Sequence, residues 1–229
     1  MELLGRLKGG LIVSCQAREG WPMYGEAIMA AFASAAKLGN AVGIRANRPE
    51  NIRAIKQAVD LPVIGIYKEW VNGYDVYITP TLKSALQVAE TGAEIIAIDG
   101  TKRQRPGNES VEDIVNGIKK HYPNTLVMAD IATKEEGIYA EACGVDLVAT
   151  TLSGHTAETK HVDHFNDDLI KQLAMTLKIP VIAEGKIHSP EEAVRALDCG
   201  AHAVVVGTAI TRPEIITSWY SDALKRRQP

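Results

Sequence analysis

The stretch PVIAEGKIHSPEEA, residues 180–193, contains one complete structural unit and one anomaly. Val181, Ile182 and Ala183 read as the start of a strand covered on both faces. Ser189, Pro190 and Glu192 read as the cap, first turn and capping-box position of a helix. Between them stand Glu184, Gly185 and Lys186. A carboxylate at the end of a buried strand is costly unless something pairs with it or uses it. The unit is therefore strand, polar turn, helix, with chemistry at the turn.

The same unit recurs along the chain. Strands are expected at GLIVSCQ (10–16), AVGIRA (41–46), PVIGIYK (62–68), EIIAIDG (94–100), TLVMADIA (125–132), DLVATTL (146–152), PVIAEGKI (180–187) and HAVVVGTAI (202–210). Strands two, four, six and eight follow Gly39, Gly92, Gly144 and Gly200, each suited to ending a helix. Strands three, five and seven come at or just after Pro62, Pro123 and Pro180, which cannot continue one. Thr133 with Glu136 repeats the capping-box spacing of Ser189 with Glu192. Repeated βα units build either an open doubly wound sheet or a closed barrel. Eight matched units in 229 residues favour a single (β/α)8 TIM barrel over residues 1–229, with a short N-terminal helix. The longest irregular segment, SGHTAETKHVDHFNDD (153–168), is a candidate lid.

Composition narrows the function classes. The chain is 46% hydrophobic and 23% charged, with a net charge of 25 − 28 = −3. That offers no broad basic field for nucleic acid, and the KRRQ run (225–228) reads as a solvated end. No apolar run approaches the ~20 residues of a membrane span, and no signal peptide is expected. Cys15, Cys143 and Cys199 are odd in number and far apart, as in a reduced cytoplasmic protein without disulfides.

In this architecture the active site lies at the C-terminal ends of the strands. There the chain places Ser14, Cys15, Gln16, Arg45, Lys68, Asp99, Asp130 and Glu184. Alternation puts Ile64, Ile66 and Lys68 on one face, and likewise Met128 with Asp130 and Ile182 with Glu184. The loops after strands seven and eight carry Gly185-Lys186 and Gly207-Thr208, the latter ahead of a helix near Pro213. Glycine permits close backbone approach, and a helix N-terminus offers free N–H groups, so these four residues form a candidate phosphate site. His155, His161 and His164 share one loop and read as solvated side chains, with no metal site expected.

These residues fall in motifs: SCQA (14–17), GIR (43–45), IGIYK (64–68), YITPT (77–81), DGTKRQRP (99–106), ADI (129–131), TTLSGHT (150–156), IAEGKI (182–187) and VVVGTAITRP (204–213). Together they resemble, end to end, the N-acetylmannosamine-6-phosphate 2-epimerase family of ribulose-phosphate-binding barrels. The resemblance implies a cofactor-free proton transfer at C2 that interconverts two amino-sugar phosphates in sialic-acid catabolism. It also implies Lys68 and Glu184 as acid–base residues, with Gln16, Arg45, Asp130 and Arg212 as substrate contacts. Two positions depart from the family pattern: Glu69-Trp70, where a basic-acidic pair is usual, and His155, where an aromatic is usual.

Epimerisation beside a carbonyl needs proton removal on one face and return on the other. Strands three and seven lie four apart in a ring of eight, so Lys68 and Glu184 are expected to face each other. To accept a proton the lysine must be neutral; moving its pKa from ~10.4 to about 7.5 requires roughly 4 kcal/mol. Burial and Arg45 push that way, while Glu184 and Asp130 oppose it. Arg45 and Gln16 are the expected partners of charge developing on the carbonyl oxygen. A one-base scheme stays open, in which Lys68 acts alone, a substrate hydroxyl returns the proton and Glu184 orients the sugar. Two rival functions also stay open: another cofactor-free sugar-phosphate isomerase or lyase, and a non-catalytic phosphosugar-binding barrel. The expected partner is a small amino-sugar phosphate, with no nucleic acid and no membrane, and a homodimer is the base-rate assembly.

Overall fold

Each of the eight expected strands forms, and two-residue alternation decides which side chains enter the barrel. In order they are β1 (Leu11–Cys15), β2 (Gly43–Asn47), β3 (Val63–Ile66), β4 (Ile95–Asp99), β5 (Leu126–Asp130), β6 (Leu147–Ala149), β7 (Val181–Glu184) and β8 (Ala203–Val206). The computed structural model describes residues 2–227; Met1, Gln228 at the end of the KRRQ run, and Pro229 lie outside the described residues. The strands pair in parallel, neighbour to neighbour, and β8 returns to β1 to close the barrel.

The helices are α1 (Glu2–Leu7), α2 (Glu26–Leu38), α3 (Pro49–Ala58), α4 (Leu82–Ala89), α5 (Val111–His121), α6 (Lys134–Ala142) and α7 (Asp167–Thr176). They continue with α8 (Pro190–Asp198), a four-residue α9 (Thr208–Thr211) and α10 (Pro213–Lys225). Among the described residues no helix is long and apolar enough to cross a membrane.

Ile12, Ile64, Ile66, Ile95, Met128, Leu147, Ile182 and Val205 point inward and fill the barrel. Val13, Ile44, Val63, Ile96, Ile98, Val127, Val148 and Val181 point outward against the helices. Leu7 of α1 packs into the inner cluster, and His202 bonds the carbonyl of Leu4 at 2.7 Å, so α1 caps the end opposite the site. Cys15, Cys143 and Cys199 are buried thiols, and burial pushes Cys15 up to about 12.

Local chemistry explains where elements end. Thr133 and Glu136 make the full capping box. At α8 the box is half made: Ser189 accepts from the Glu192 N–H, while the Glu192 carboxylate takes the N–H of His188. Gly92, Gly144 and Gly200 have positive φ after their helices, but after α2 Asn40 takes that role, with φ 63, and Gly39 does not. All eight strands are shorter than their expected windows, and three of the early ends shape the site. β6 gives way to a 3-10 turn at Thr150–Leu152, β8 gives way to α9, and β3 stops at Ile66. Beyond Ile66 the chain turns out and back, with Lys68 in an antiparallel bridge to Ile78.

Candidate active site

Inward parity brings Ser14, Arg45, Asp99, Asp130 and Glu184 to one end of the barrel, but not to one surface. The cavity at that end has a volume of about 330 Å³, and Lys68, Glu184, Gln16 and Arg212 all line it. Gly185, Lys186, Gly207 and Thr208 line it too, so the expected phosphate loops sit on its rim. Arg45 and Asp130 do not. They are 1% and 0% exposed, and Arg45 bridges Asp130 to the cavity-lining Glu184. Asp99 is also fully buried; it accepts from the N–H and hydroxyl of Thr101 and pairs with Arg103 at 2.7 Å, bracing the β4–α5 loop.

Arg45 grips Asp130 with two parallel bonds, Nη1 to Oδ1 at 2.9 Å and Nη2 to Oδ2 at 2.6 Å. The same Nη1 also donates to the Glu184 carboxylate. Burial works against the Arg45 charge, but Asp130 and Glu184 outweigh it and raise its pKa above the usual range. Glu184 is held further by the 3-10 turn after β6. Thr150 Oγ1 accepts from the Glu184 N–H at 3.0 Å and donates to its carbonyl at 2.9 Å. Thr151 Oγ1 lies 2.5 Å from Asp130 and 3.1 Å from the Glu184 carboxylate. Burial raises the Glu184 pKa and Asp130 adds to the rise, against Arg45, Thr151 and Lys68.

Across the cavity, the Lys68 N–H donates to Asn47 Oδ1 at 2.9 Å, and its ammonium lies 6.0 Å from the centre of the Tyr77 ring. The bridge to Ile78 fixes the backbone on the other side. Burial and then Arg45 lower its pKa to about 8, with Arg18 contributing and Glu184 and Asp130 opposing. The balance left open by the sequence thus falls toward a lysine that can be neutral near pH 7–8.

Gln16 lines the cavity and donates to Ser14 Oγ at 2.8 Å, while its Oε1 is buried without a hydrogen-bond partner. Lys186, at φ 56, sends its ammonium across to the carbonyl of Ser153 at 2.9 Å. It passes so close to Gly154 that a Cβ there would lie 1.9 Å from Nζ, which is why that position lacks a side chain. The 153–168 segment is further tied by Thr159 and by Asn166, which donates to Ser153 Oγ. All three of its histidines are exposed, and His155 also lines the cavity, its pKa lowered by desolvation, Lys186 and Lys68.

Several cavity residues escaped the strand-end rule, among them Arg18, Trp21, Tyr77, Thr151, His188 and Thr211. Tyr77 and Thr151 lay inside recognised motifs, YITPT and TTLSGHT; Arg18 and Trp21 gave no signal.

The relatives of the chain give its family. Residues 29–226 match the family described as "Putative N-acetylmannosamine-6-phosphate epimerase". The chain belongs to that family. Proteins named "Putative N-acetylmannosamine-6-phosphate 2-epimerase" from Caldanaerobacter subterraneus subsp. tengcongensis and Listeria monocytogenes are 51% and 49% identical to it. The first alignment covers 100% of this chain and 96% of the relative, the second 98% of each. The solved N-acetylmannosamine-6-phosphate 2-epimerase from Clostridium perfringens superposes with a TM-score of 0.93 at 47% identity, over 96% of both chains. Within the epimerase family, then, this chain keeps the barrel from end to end, and its Glu69-Trp70 pair has a structural use. Trp70 stacks on Tyr77, with ring centres 5.6 Å apart and planes within 10°.

Proposed function

We propose that this protein interconverts the 6-phosphates of N-acetylmannosamine and N-acetylglucosamine, with Lys68 and Glu184 exchanging protons at C2 from opposite sides. One observation carries the reading. A lysine lowered to about 8 and a carboxylate raised by burial line a single cavity, from strands four apart in a closed ring of eight. A phosphosugar-binding module has no need of that pair, and arginines and backbone N–H groups would serve it better.

Charge accounting supports a two-group scheme. Arg45 offsets Asp130, its bidentate partner. Lys68 and Glu184 then hold one proton between them without net charge, in either of two arrangements. With Lys68 neutral and Glu184 protonated, the lysine takes the C2 proton and the acid returns one on the other face. That leaves Lys68 charged and Glu184 ionised, which is the starting state for the reverse reaction. The C2 proton is acidic only beside a carbonyl, so the reacting form of the sugar is the open-chain aldehyde. Gln16, which lines the cavity and carries an amide, would contact the substrate's amide or a hydroxyl.

Gly185, Gly207 and Thr208, with Lys186 and Arg212 beside them, would hold the phosphate at the rim. Fixing the sugar at a point remote from C2 lowers the entropic part of the barrel chemistry's barrier. Proton NMR of N-acetylmannosamine 6-phosphate with the purified protein tests the assignment: C2-epimer resonances should grow to an equilibrium mixture. An inert substrate, with turnover of ribulose 5-phosphate or indole-glycerol phosphate instead, would place the protein elsewhere among the phosphate-binding barrels.

A further inference from the structure

The loop between β1 and α2 brings two residues to the cavity that the proton-transfer scheme leaves unused, Arg18 and Trp21. The Arg212 guanidinium lies 3.6 Å from the centre of the Trp21 ring, and the Arg18 guanidinium lies 5.5 Å from the same ring. Arg18 also lies 4.9 Å from the Trp70 ring, which in turn stacks on Tyr77. A ladder of alternating cations and rings thus crosses the mouth: Arg212, Trp21, Arg18, Trp70, Tyr77, with Lys68 against the last ring.

The two arginines are held alike but engaged differently. Arg212 pairs through Nε with Glu214. Among the described residues the Arg18 guanidinium has no ion-pair partner and no hydrogen bond, only the two indole faces. A ring face attracts the charge of a guanidinium without using its in-plane N–H groups. Arg18 is therefore a cation held in place with its donors free, on a wall it shares with Gly207, Thr208 and Arg212. Holding a long side chain by stacking also removes part of the entropy cost of ordering it on a ligand. Its position has a cost as well, since it places a like charge near Lys68. The only charged group on the proposed substrate is its phosphate, and planar guanidinium groups match phosphate oxygens better than ammonium groups do.

We infer that Arg18 binds the substrate phosphate beside Arg212, and that Trp21 and Trp70 are positioning residues that hold it there. This rests on the reading of the substrate as a sugar phosphate. It is tested by titration calorimetry with inorganic phosphate, which needs no turnover, together with steady-state kinetics. Losing one charge-assisted phosphate contact is expected to weaken phosphate binding and raise KM about tenfold or more in Arg18→Ala, with a smaller change in kcat because Arg18 also helps lower the Lys68 pKa. Arg18→Lys should recover part of the loss. Trp21→Leu should reproduce it with Arg18 intact, and Trp21→Phe, which keeps a ring face, should restore most of it. Activity on unphosphorylated N-acetylmannosamine should fall in Arg18→Ala only by that smaller kcat effect, well short of the loss on the phosphorylated sugar.

Phosphate binding unchanged in Arg18→Ala overturns the inference, as does an equal loss on phosphorylated and unphosphorylated sugar. Absence of saturable phosphate binding by the wild type overturns it too. A wild type that binds phosphate yet leaves C2 untouched removes the epimerase reading, and the comparison of Arg18 variants still decides this one.

Discussion

Lys68 carries the sharpest residue-scale consequences. Where it acts as the base it must be neutral while Glu184 keeps its proton, and that one-proton state of the pair is lost once the lysine has titrated, so kcat/KM in that direction should be bell-shaped and fall above about pH 8. A limb near ~10.4, the ordinary lysine value, would contradict the burial and Arg45 effects. The same shift predicts a stability effect. The folded lysine releases its proton at lower pH than the unfolded one, so the unfolded chain binds more protons between about 8 and ~10.4, and stability rises with pH across that window. Below it the cost of the buried charge is fully present. Lys68→Met should therefore raise thermal stability at pH 7, by up to ~3 kcal/mol, while abolishing turnover. Calorimetric melting of both proteins at pH 7 and pH 10 measures this; a destabilised Lys68→Met at pH 7 would refute it. Glu184 was legible in the sequence because alternation along a strand is strict, so an ionisable group two residues past the inward Ile182 must also face inward; Lys68 lies beyond the end of β3 and reaches the cavity through its bridge to Ile78 instead. Depth was not legible. Arg45 and Asp130 obey the same parity as Glu184, yet both are buried away from the cavity; Asp130 registers through Ala149 with Ile182, two residues short of Glu184.

At the scale of elements, the site depends on how closely helices approach the strands that carry it. A Cβ on Gly65 would lie 2.5 Å from Val88 of α4 and 3.0 Å from Ala93 and Ile52. Gly65→Ala must push α4 away from β3, three residues before Lys68. It should cost ~1–3 kcal/mol of stability by overpacking and lower kcat with it. Denaturant melts and steady-state rates check both, and an unchanged midpoint would show that the packing yields. The same scale explains what sequence reading missed. Continuous apolar runs marked every strand but not its last residue, because DLVATTL and HAVVVGTAI stay apolar or β-branched into the turns that follow. Those turns matter: Thr150 and Thr151 grip Glu184 from the end of β6. Arg18 and Trp21 sit on the β1–α2 connection, where neither period nor cap constrains position, and only contact with Arg212 and Trp70 shows their place.

The whole molecule supplies what no single element can, two proton-transfer groups on opposite walls. Closure of the ring, β8 onto β1, is what makes β3 and β7 diametrically opposed. An open sheet of the same units would leave them four strands apart on a flat surface. α1 and the inner isoleucines seal the far end, so substrate meets the barrel only at the mouth where Lys68 and Glu184 stand. The most direct measurement is C2 hydrogen exchange in deuterated water, followed by NMR for each epimer separately, in wild type, Lys68→Met and Glu184→Gln. With the groups on opposite faces, Glu184→Gln should exchange the C2 proton of one epimer without interconverting the pair, and Lys68→Met should exchange only the other. Full epimerisation by Glu184→Gln, with exchange of both epimers lost in Lys68→Met alone, would contradict the account and leave the lysine as the sole protein base.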